Sequence, residues 1–395
     1  MATDPGPPGP HVLAGGRVIT PEGVLDPGWI RLSGSLIDAA GAGEPPAQPG
    51  DAVTDLRGRW VLPGFVDMHV HGGGGFSFTE GSAADARRTA GFHRAHGTTT
   101  IVASLVTAPV PELEVRAAML ASLAAEGVLA GVHAEGPFLS PARCGAQDPQ
   151  YMVEPDVAIL ERLLTAAAGQ LKVLTIAPEL PGATEVIRAA VRAGVIAAIG
   201  HTDASAEVTL AAIDAGASHA THLFNGMAPL HHREPGPAGA LLIRDEVSCE
   251  VIADGVHLND VTIQLAARAA GTGRVVLITD AMAAAGMADG SYELGSMRVT
   301  VAGGVARLAG DGSGAIAGST ATMADVVRHA AAAGLPLPAV AAAASTTPAR
   351  VLGLADRTGA LCAGLDADLV VCDGDLGLRA TMRRGKWVTG PPAAG

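Results

Sequence analysis

Two histidines one residue apart, His69 and His71, close the apolar run Pro63-Gly64-Phe65-Val66-Asp67-Met68-His69-Val70-His71, and the chain then breaks on Gly72-Gly73-Gly74-Gly75. Residues two apart in a strand point to the same side, so the two imidazoles are presented together. Neutral imidazole is the commonest metal-binding side chain. A bare His-x-His also fits a strand end with two solvated histidines, so the weight falls on what recurs. Four later apolar runs end in similar residues: His133-Ala134-Glu135, Gly200-His201-Thr202-Asp203, Thr221-His222-Leu223-Phe224-Asn225 and Thr279-Asp280. Imidazoles with carboxylates and no thiolate suit zinc, iron or another borderline divalent cation. With one coordination position open, such a cation lowers the pKa of water towards about 7.

These residues need strands to carry them. Eight apolar runs are legible, near Val61–His71, Thr98–Val106, Leu129–Pro137, Leu171–Glu179, Val195–Asp203, Ala217–Phe224, Ser248–His257 and Arg274–Met282. Most gaps hold an Ala-rich amphipathic stretch: Ala83–His96, Pro111–Glu126, Pro155–Ala168, Ala183–Ala193, Ala204–Ala215 and Asn259–Ala270. Strands alternating with helices predict βα units and a parallel sheet. Eight of them predict an α/β protein, a (β/α)8 TIM barrel, whose chemistry sits at the C-terminal strand ends where the candidate ligands fall. The Gly-rich segment from Gly286 to Gly318 reads as a β-excursion before a last helix near Thr322–Ala333. Residues 11–56 and 353–395 share a texture of short apolar pieces between Gly and Pro, which predicts one small β-sandwich domain built from both termini. The barrel then spans 57–352, and residues 1–10 form a flexible segment.

Composition agrees. Hydrophobic residues make up 48% of the 395 and charged residues 16%, enough for a large core. Aromatics are 3%, which suits helix-covered parallel strands. A net charge of −13 argues against nucleic-acid or anionic-membrane surfaces, but not against an anionic small molecule in a locally basic pocket. No apolar run reaches the roughly 18 residues of a membrane span. The four cysteines lack ligand-like spacing, which predicts reduced thiols in a cytoplasmic protein.

The ordered motifs resemble the amidohydrolase superfamily, and within it the N-acetylglucosamine-6-phosphate deacetylase family. They are Pro63-Gly64-Phe65-Val66-Asp67, His133-Ala134-Glu135-Gly136-Pro137-Phe138, Gly200-His201-Thr202-Asp203 and Thr221-His222-Leu223-Phe224-Asn225-Gly226-Met227. Arg233-Glu234-Pro235-Gly236, Ile252-Ala253-Asp254-Gly255-Val256-His257, Thr279-Asp280-Ala281 and Ile316-Ala317-Gly318-Ser319-Thr320 complete the set. The resemblance implies metal-assisted removal of acetyl from a phosphorylated amino sugar. It implies one or two divalent metals per subunit, with zinc first and iron or another divalent metal as alternatives. Glu135, His201 and His222 would hold the principal metal and His69 and His71 a second. Asp280, counted with the metal ligands, would be the general base towards water and then the acid towards the leaving amine. A carboxylate suits this because it takes and then returns one proton.

Substrate contacts are expected from Ala146, Gln147, Asn225, Gly226, Asp254, His257, Ile316, Ala317 and Gly318. Arg233 would meet the phosphate with its two-point fork. In family dimers that arginine reaches the neighbouring site, so a homodimer is expected. Gln147 stands where the family often has histidine; it keeps hydrogen bonding but cannot carry charge. Other histidines receive plainer readings. His93 and His96 are surface or packing residues, and His133 is support deeper in the barrel. One of His231 and His232 could assist at phosphate; His11, His219 and His329 have no functional case. Asp67 and Asp203 would orient ligands, and Cys144 is a free thiol. Competing readings are deacetylation of N-acetylgalactosamine 6-phosphate, another cyclic-amide or amidine hydrolase, and a non-catalytic sugar-phosphate sensor.

Overall fold

The computed structural model describes residues 11–271, 273–310 and 314–392; the flexible segment expected over residues 1–10 lies outside them. The eight apolar runs supply the strands of one sheet, ordered as in the chain: β1 (Phe65–Val70), β2 (Thr98–Leu105), β3 (Gly131–Glu135), β4 (Leu171–Ile176), β5 (Ile196–Ile199), β6 (His219–Ala220), β7 (Ser248–Val251) and β8 (Val275–Leu277). From β2 to β8 each neighbour pair is parallel. Every residue of β1, β3, β7 and β8 is buried, as expected of strands covered on both faces.

The chain leaving β8 bonds back to β1 and closes the barrel. Asp280 N–H donates to the His69 carbonyl at 3.0 Å, and His71 N–H donates to that of Ala281 at 2.8 Å. The Thr279 hydroxyl and the Asp67 carboxylate tie the same seam at 2.6 Å. Helices follow the strands at Ala83–Ala95, Val110–Ala125, Val157–Ala166, Ala183–Arg192, Ala206–Asp214 and Asp260–Ala270. Asp156, Ser205 and Asn259 cap three of them by accepting from first-turn N–H groups. A further helix, Gly236–Ile243, was not expected, because Gly-Pro-Ala-Gly reads as a turn. Burial of most of its residues outweighs that poor propensity, and Pro237 falls in the first turn, where its missing N–H costs nothing.

The described residues up to 66, those of 93–100 and those from 323 on form one compact unit; 67–92 and 101–322 form a second. In the first, strands from both termini join in one eight-strand sheet, the small β domain expected there. Its core includes Leu13, Ile30, Leu32, Val61, Leu369, Val371 and Met382. The run read as Val61–His71 is divided. Trp60–Pro63 pairs antiparallel with Leu369–Cys372 in the terminal sheet, and Gly64 separates it from β1. A Cβ on Gly64 would lie 2.4 Å from the Thr99 hydroxyl, so only glycine fits that crossing. In the second unit the excursion forms a three-strand antiparallel meander, Gly290–Leu294, Met297–Ala302 and Val305–Leu308. Its inner face packs with Val106, Met282 and Ala317.

Candidate metal centre

Two groups of donors converge at the C-terminal strand ends: Glu135, His201 and His222, and His69, His71 and Asp280. His69 and Glu135 lie within strands, with His71 one residue beyond β1. His201, His222 and Asp280 stand two or three residues past their strands, at φ of 46°, 26° and 49°. Such backbone is uncommon for residues other than glycine and collects at functional sites. The expected runs through these ligands therefore stop short, because the chain bends to aim the side chains.

The hydrogen bonds behind the rings decide what the site can hold. His201 Nδ1 lies 2.9 Å from the Arg143 carbonyl, and His222 Nδ1 lies 3.1 Å from that of Asn225. A carbonyl only accepts, so each Nδ1 carries the hydrogen and each Nε2 presents a lone pair. Those Nε2 atoms are 3.1 Å apart and lie 3.0 and 2.9 Å from Glu135 Oε1. His69 Nδ1 is likewise fixed, 2.9 Å from Glu250 Oε2. Its Nε2 lies 3.1 Å from His71 Nε2 and 3.4 Å from Asp280 Oδ1. Glu135 serves both groups, with Oε2 3.2 Å from His71 Nε2. Lone pairs facing lone pairs at these spacings repel unless a proton or a metal cation lies between them. Ligands sharing a tetrahedral metal at about 2.1 Å lie about 3.4 Å apart, so the donor set fits a divalent metal.

The electrostatics point the same way. Burial alone would lower His71, yet the Asp280 and Glu135 carboxylates hold it up at about 9. Burial also opposes charge on His69, but Glu250, Glu135 and Asp280 keep it well above its ordinary value. Burial would raise Glu135, and the surrounding imidazoles, His69 foremost, hold it well below the usual carboxylate range. The cavity therefore favours positive charge.

The cavity around the donors has a volume of about 270 Å³. Besides the ligands, it is lined by Gly145, Ala146, Gln147, Asn225, Gly226, His257, Leu294, Ala315, Ile316 and Gly318. A larger cleft of about 690 Å³ beside the meander contains none of the ligands, so size does not locate the chemistry. Most predicted substrate contacts are thus brought together, with three exceptions. Ala317 is buried in the meander core. Asp254 stands behind His257, accepting from its Nδ1 at 2.8 Å. Arg233 is on an exposed loop beside His231 and His232, outside its own chain's cavity, with Nη1 2.8 Å from His232 Nε2.

Gln147 lines the cavity, but its amide is committed: Oε1 accepts from the Thr107 N–H at 2.7 Å, and the NH2 donates to Glu135 Oε2. These bonds steady Glu135 and leave the second amide hydrogen for the sugar hydroxyls expected to meet Gln147. Asp203 acts at one remove. It pairs with Arg143 at 2.7 Å, and the Arg143 carbonyl fixes His201. His133 bridges Ser104 and Thr175 at 2.9 and 2.8 Å, in its expected supporting place. Sequence reasoning missed Glu250, and it dismissed His219, whose Nε2 lies 3.0 Å from Glu250 Oε1. The available signal was a carboxylate inside the otherwise apolar run Ser248-Cys249-Glu250-Val251.

A closed barrel with such a donor set is a metal-dependent hydrolase scaffold. The amidohydrolase family profile matches residues 60–389. The chain is 46% identical to N-acetyl-D-glucosamine-6-phosphate deacetylase from Mycobacterium smegmatis, solved as an aspartate-to-alanine mutant in complex with N-acetyl-D-glucosamine-6-phosphate; the TM-score is 0.93, over 97% of this chain and 100% of that one. It is 35% identical to N-acetylglucosamine-6-phosphate deacetylase from Bacillus subtilis (strain 168), over 93% of this chain and 94% of that protein. N-acetylgalactosamine-6-phosphate deacetylase from Escherichia coli O157:H7 is 36% identical, over 95% and 98%. The chain belongs to the amidohydrolase family and, within it, to the N-acetylglucosamine-6-phosphate deacetylase family.

Proposed function

We propose that the protein hydrolyses the acetamide of N-acetylglucosamine 6-phosphate, giving glucosamine 6-phosphate and acetate. The observation that carries this is Glu135, which joins two converging donor groups with Asp280 facing the same cavity. Glu135, His201 and His222 would hold one divalent metal, zinc by preference, and His69, His71 and Asp280 would hold a second where one is bound. Bound there, a divalent metal supplies Lewis acidity, activating water and polarising the amide carbonyl. Asp280 takes the proton from the attacking water and returns it to the amine nitrogen as the C–N bond breaks. His257, whose Nδ1 is engaged by Asp254, turns its other nitrogen to the substrate. Ala146, Asn225, Gly226, Ile316 and Gly318 surround the sugar.

Arg233 meets the phosphate in a neighbouring subunit's site, which makes the working form a homodimer. Its exposure supports this, as do the exposed apolar side chains Leu230, Ile243, Val261 and Leu265. The division of labour assigns catalysis to 57–352 and a small β domain to 11–56 with 353–395. No helix among the described residues is long and apolar enough to cross a membrane, and the four cysteines are free, consistent with a cytoplasmic place in amino-sugar metabolism.

The similarity to an N-acetylgalactosamine-6-phosphate deacetylase supports a second reading, the epimeric sugar. The test is acetate release from both phosphorylated sugars and from unphosphorylated N-acetylglucosamine, on protein of counted metal content. Release from N-acetylglucosamine 6-phosphate above the others is expected. Faster release from the galactosamine substrate would move the assignment to it, and no release from any would sink both.

A further inference from the structure

The carboxylate missed in the sequence, Glu250, is buried at 0% exposure and takes three donors from three places. His69 Nδ1 lies 2.9 Å from its Oε2 and His219 Nε2 3.0 Å from its Oε1, while the backbone N–H of His222 donates to Oε2 at 2.9 Å. One residue thus touches a ligand of each donor group. The two contacts differ in kind. His201 and His222 are oriented by neutral carbonyls, of Arg143 and Asn225. His69 alone among the ligand imidazoles has a carboxylate behind it, and the far nitrogen of its companion His71 has no hydrogen-bond partner. Of the two imidazoles in the His69–His71–Asp280 group, the one fixed from behind is His69, and Glu250 is the residue that fixes it. Charge leads to the same residue. Glu135 and Asp280 together balance one divalent cation, so a second brings two positive charges that need a further buried anion nearby.

We propose that Glu250 is a positioning residue that enables the His69–His71–Asp280 group to hold a second divalent cation. This inference rests on the metal-dependent reading above. The carboxylate keeps the hydrogen of His69 on Nδ1, aims the Nε2 lone pair into the site, and makes that nitrogen a stronger donor. Loss of such outer contacts typically weakens metal binding by about 10–100-fold.

The experiment strips the full-length protein with chelator and titrates Zn2+ against a competing chromophoric chelator, with thermal melting followed in parallel. Wild type should take two equivalents. Glu250→Gln, nearly the same shape without the charge, should bind the first equivalent as wild type does and the second about 10–100-fold more weakly. His219→Gln, which touches Glu250 but no ligand, should leave both unchanged. Should Glu250→Gln fail to fold, Glu250→Asp, which keeps the charge but shortens the reach to His69, must show the same selective loss. Two equivalents held by Glu250→Gln with wild-type affinity would overturn the proposal. So would parallel loss of both equivalents with the melting temperature, which marks a purely structural role, or a wild type that takes only one. A wild type that loads metal yet releases no acetate would instead sink the proposed reaction and leave this result standing.

Discussion

Asp280 carries the sharpest prediction among single residues. Its Oδ1 lies 3.2 Å from His71 Nε2, and in the proposed reaction it moves the proton. Asp280→Asn should lower kcat by about 10²–10⁴-fold while the Glu135–His201–His222 group retains one metal equivalent and the sugar phosphate still binds. A variant that keeps its turnover would remove Asp280 from the chemistry. The Asp254–His257 pair makes a prediction in pH. Burial opposes charge on both, but their 2.8 Å contact outweighs it, so Asp254 is lowered and His257 raised. The Asp254 contribution is present above about pH 4 and lost as pH falls through its depressed value. That of His257 is complete below about pH 6.5 and lost as pH rises through its raised value. On metal-free protein, the stability gap between wild type and His257→Gln should be widest near pH 5–6.5 and narrow above it. A gap that widens above pH 7 would contradict the pair.

At the scale of elements, the seam between β1 and the chain after β8 holds both His69 and Asp280, so the contacts that close the barrel also place two of the donors. Ser319 N–H donates to the Asp280 carbonyl at 2.7 Å and extends that seam into the cavity wall. Gly318 makes the turn possible: its φ is 67°, and a Cβ there would stand 2.9 Å from the Asp280 carbonyl oxygen. Gly318→Ala should cost about 1–2 kcal/mol of stability in a denaturant melt. By displacing the Asp280 backbone it should also lower kcat more than it raises KM. Unchanged stability would show that the turn relaxes freely.

At the scale of the whole molecule, the phosphate contact decides whether one chain suffices. Arg233→Ala should raise KM for the phosphorylated sugar by about 10–100-fold, the loss of a charged hydrogen bond. If the arginine serves its neighbour, mixing Arg233→Ala with Asp280→Asn at substrate near the wild-type KM or below, where each alone is weak, and allowing subunit exchange should restore about a quarter of wild-type activity, because each mixed dimer contains one intact site. No recovery despite demonstrated exchange would place Arg233 in its own chain's site or in none.

The candidate metal donors were legible in the sequence because two rules bring them forward: strand side chains alternate, and a parallel barrel collects its strand ends. Alternation paired His69 with His71 and Glu135 with His133, the gathering of strand ends brought in His201, His222 and Asp280 just past their strands, and the alternation of apolar runs with Ala-rich stretches located the sheet. Of what surrounds the donors, His133 and Asp203 were legible, but most of the rest was not. Glu250 meets His69 across 181 residues of chain, through a register set only when β1 and β7 join one barrel. A lone carboxylate within an apolar run has no local signature that separates a buried anchor from an outward face. The same holds for Gln147, whose amide is committed by Thr107 and Glu135, and for Arg233, whose absence from its own cavity no spacing could show. Chain periodicity decides which side of a strand a residue faces, whereas hydrogen-bond partners distant in sequence are chosen by closure of the barrel.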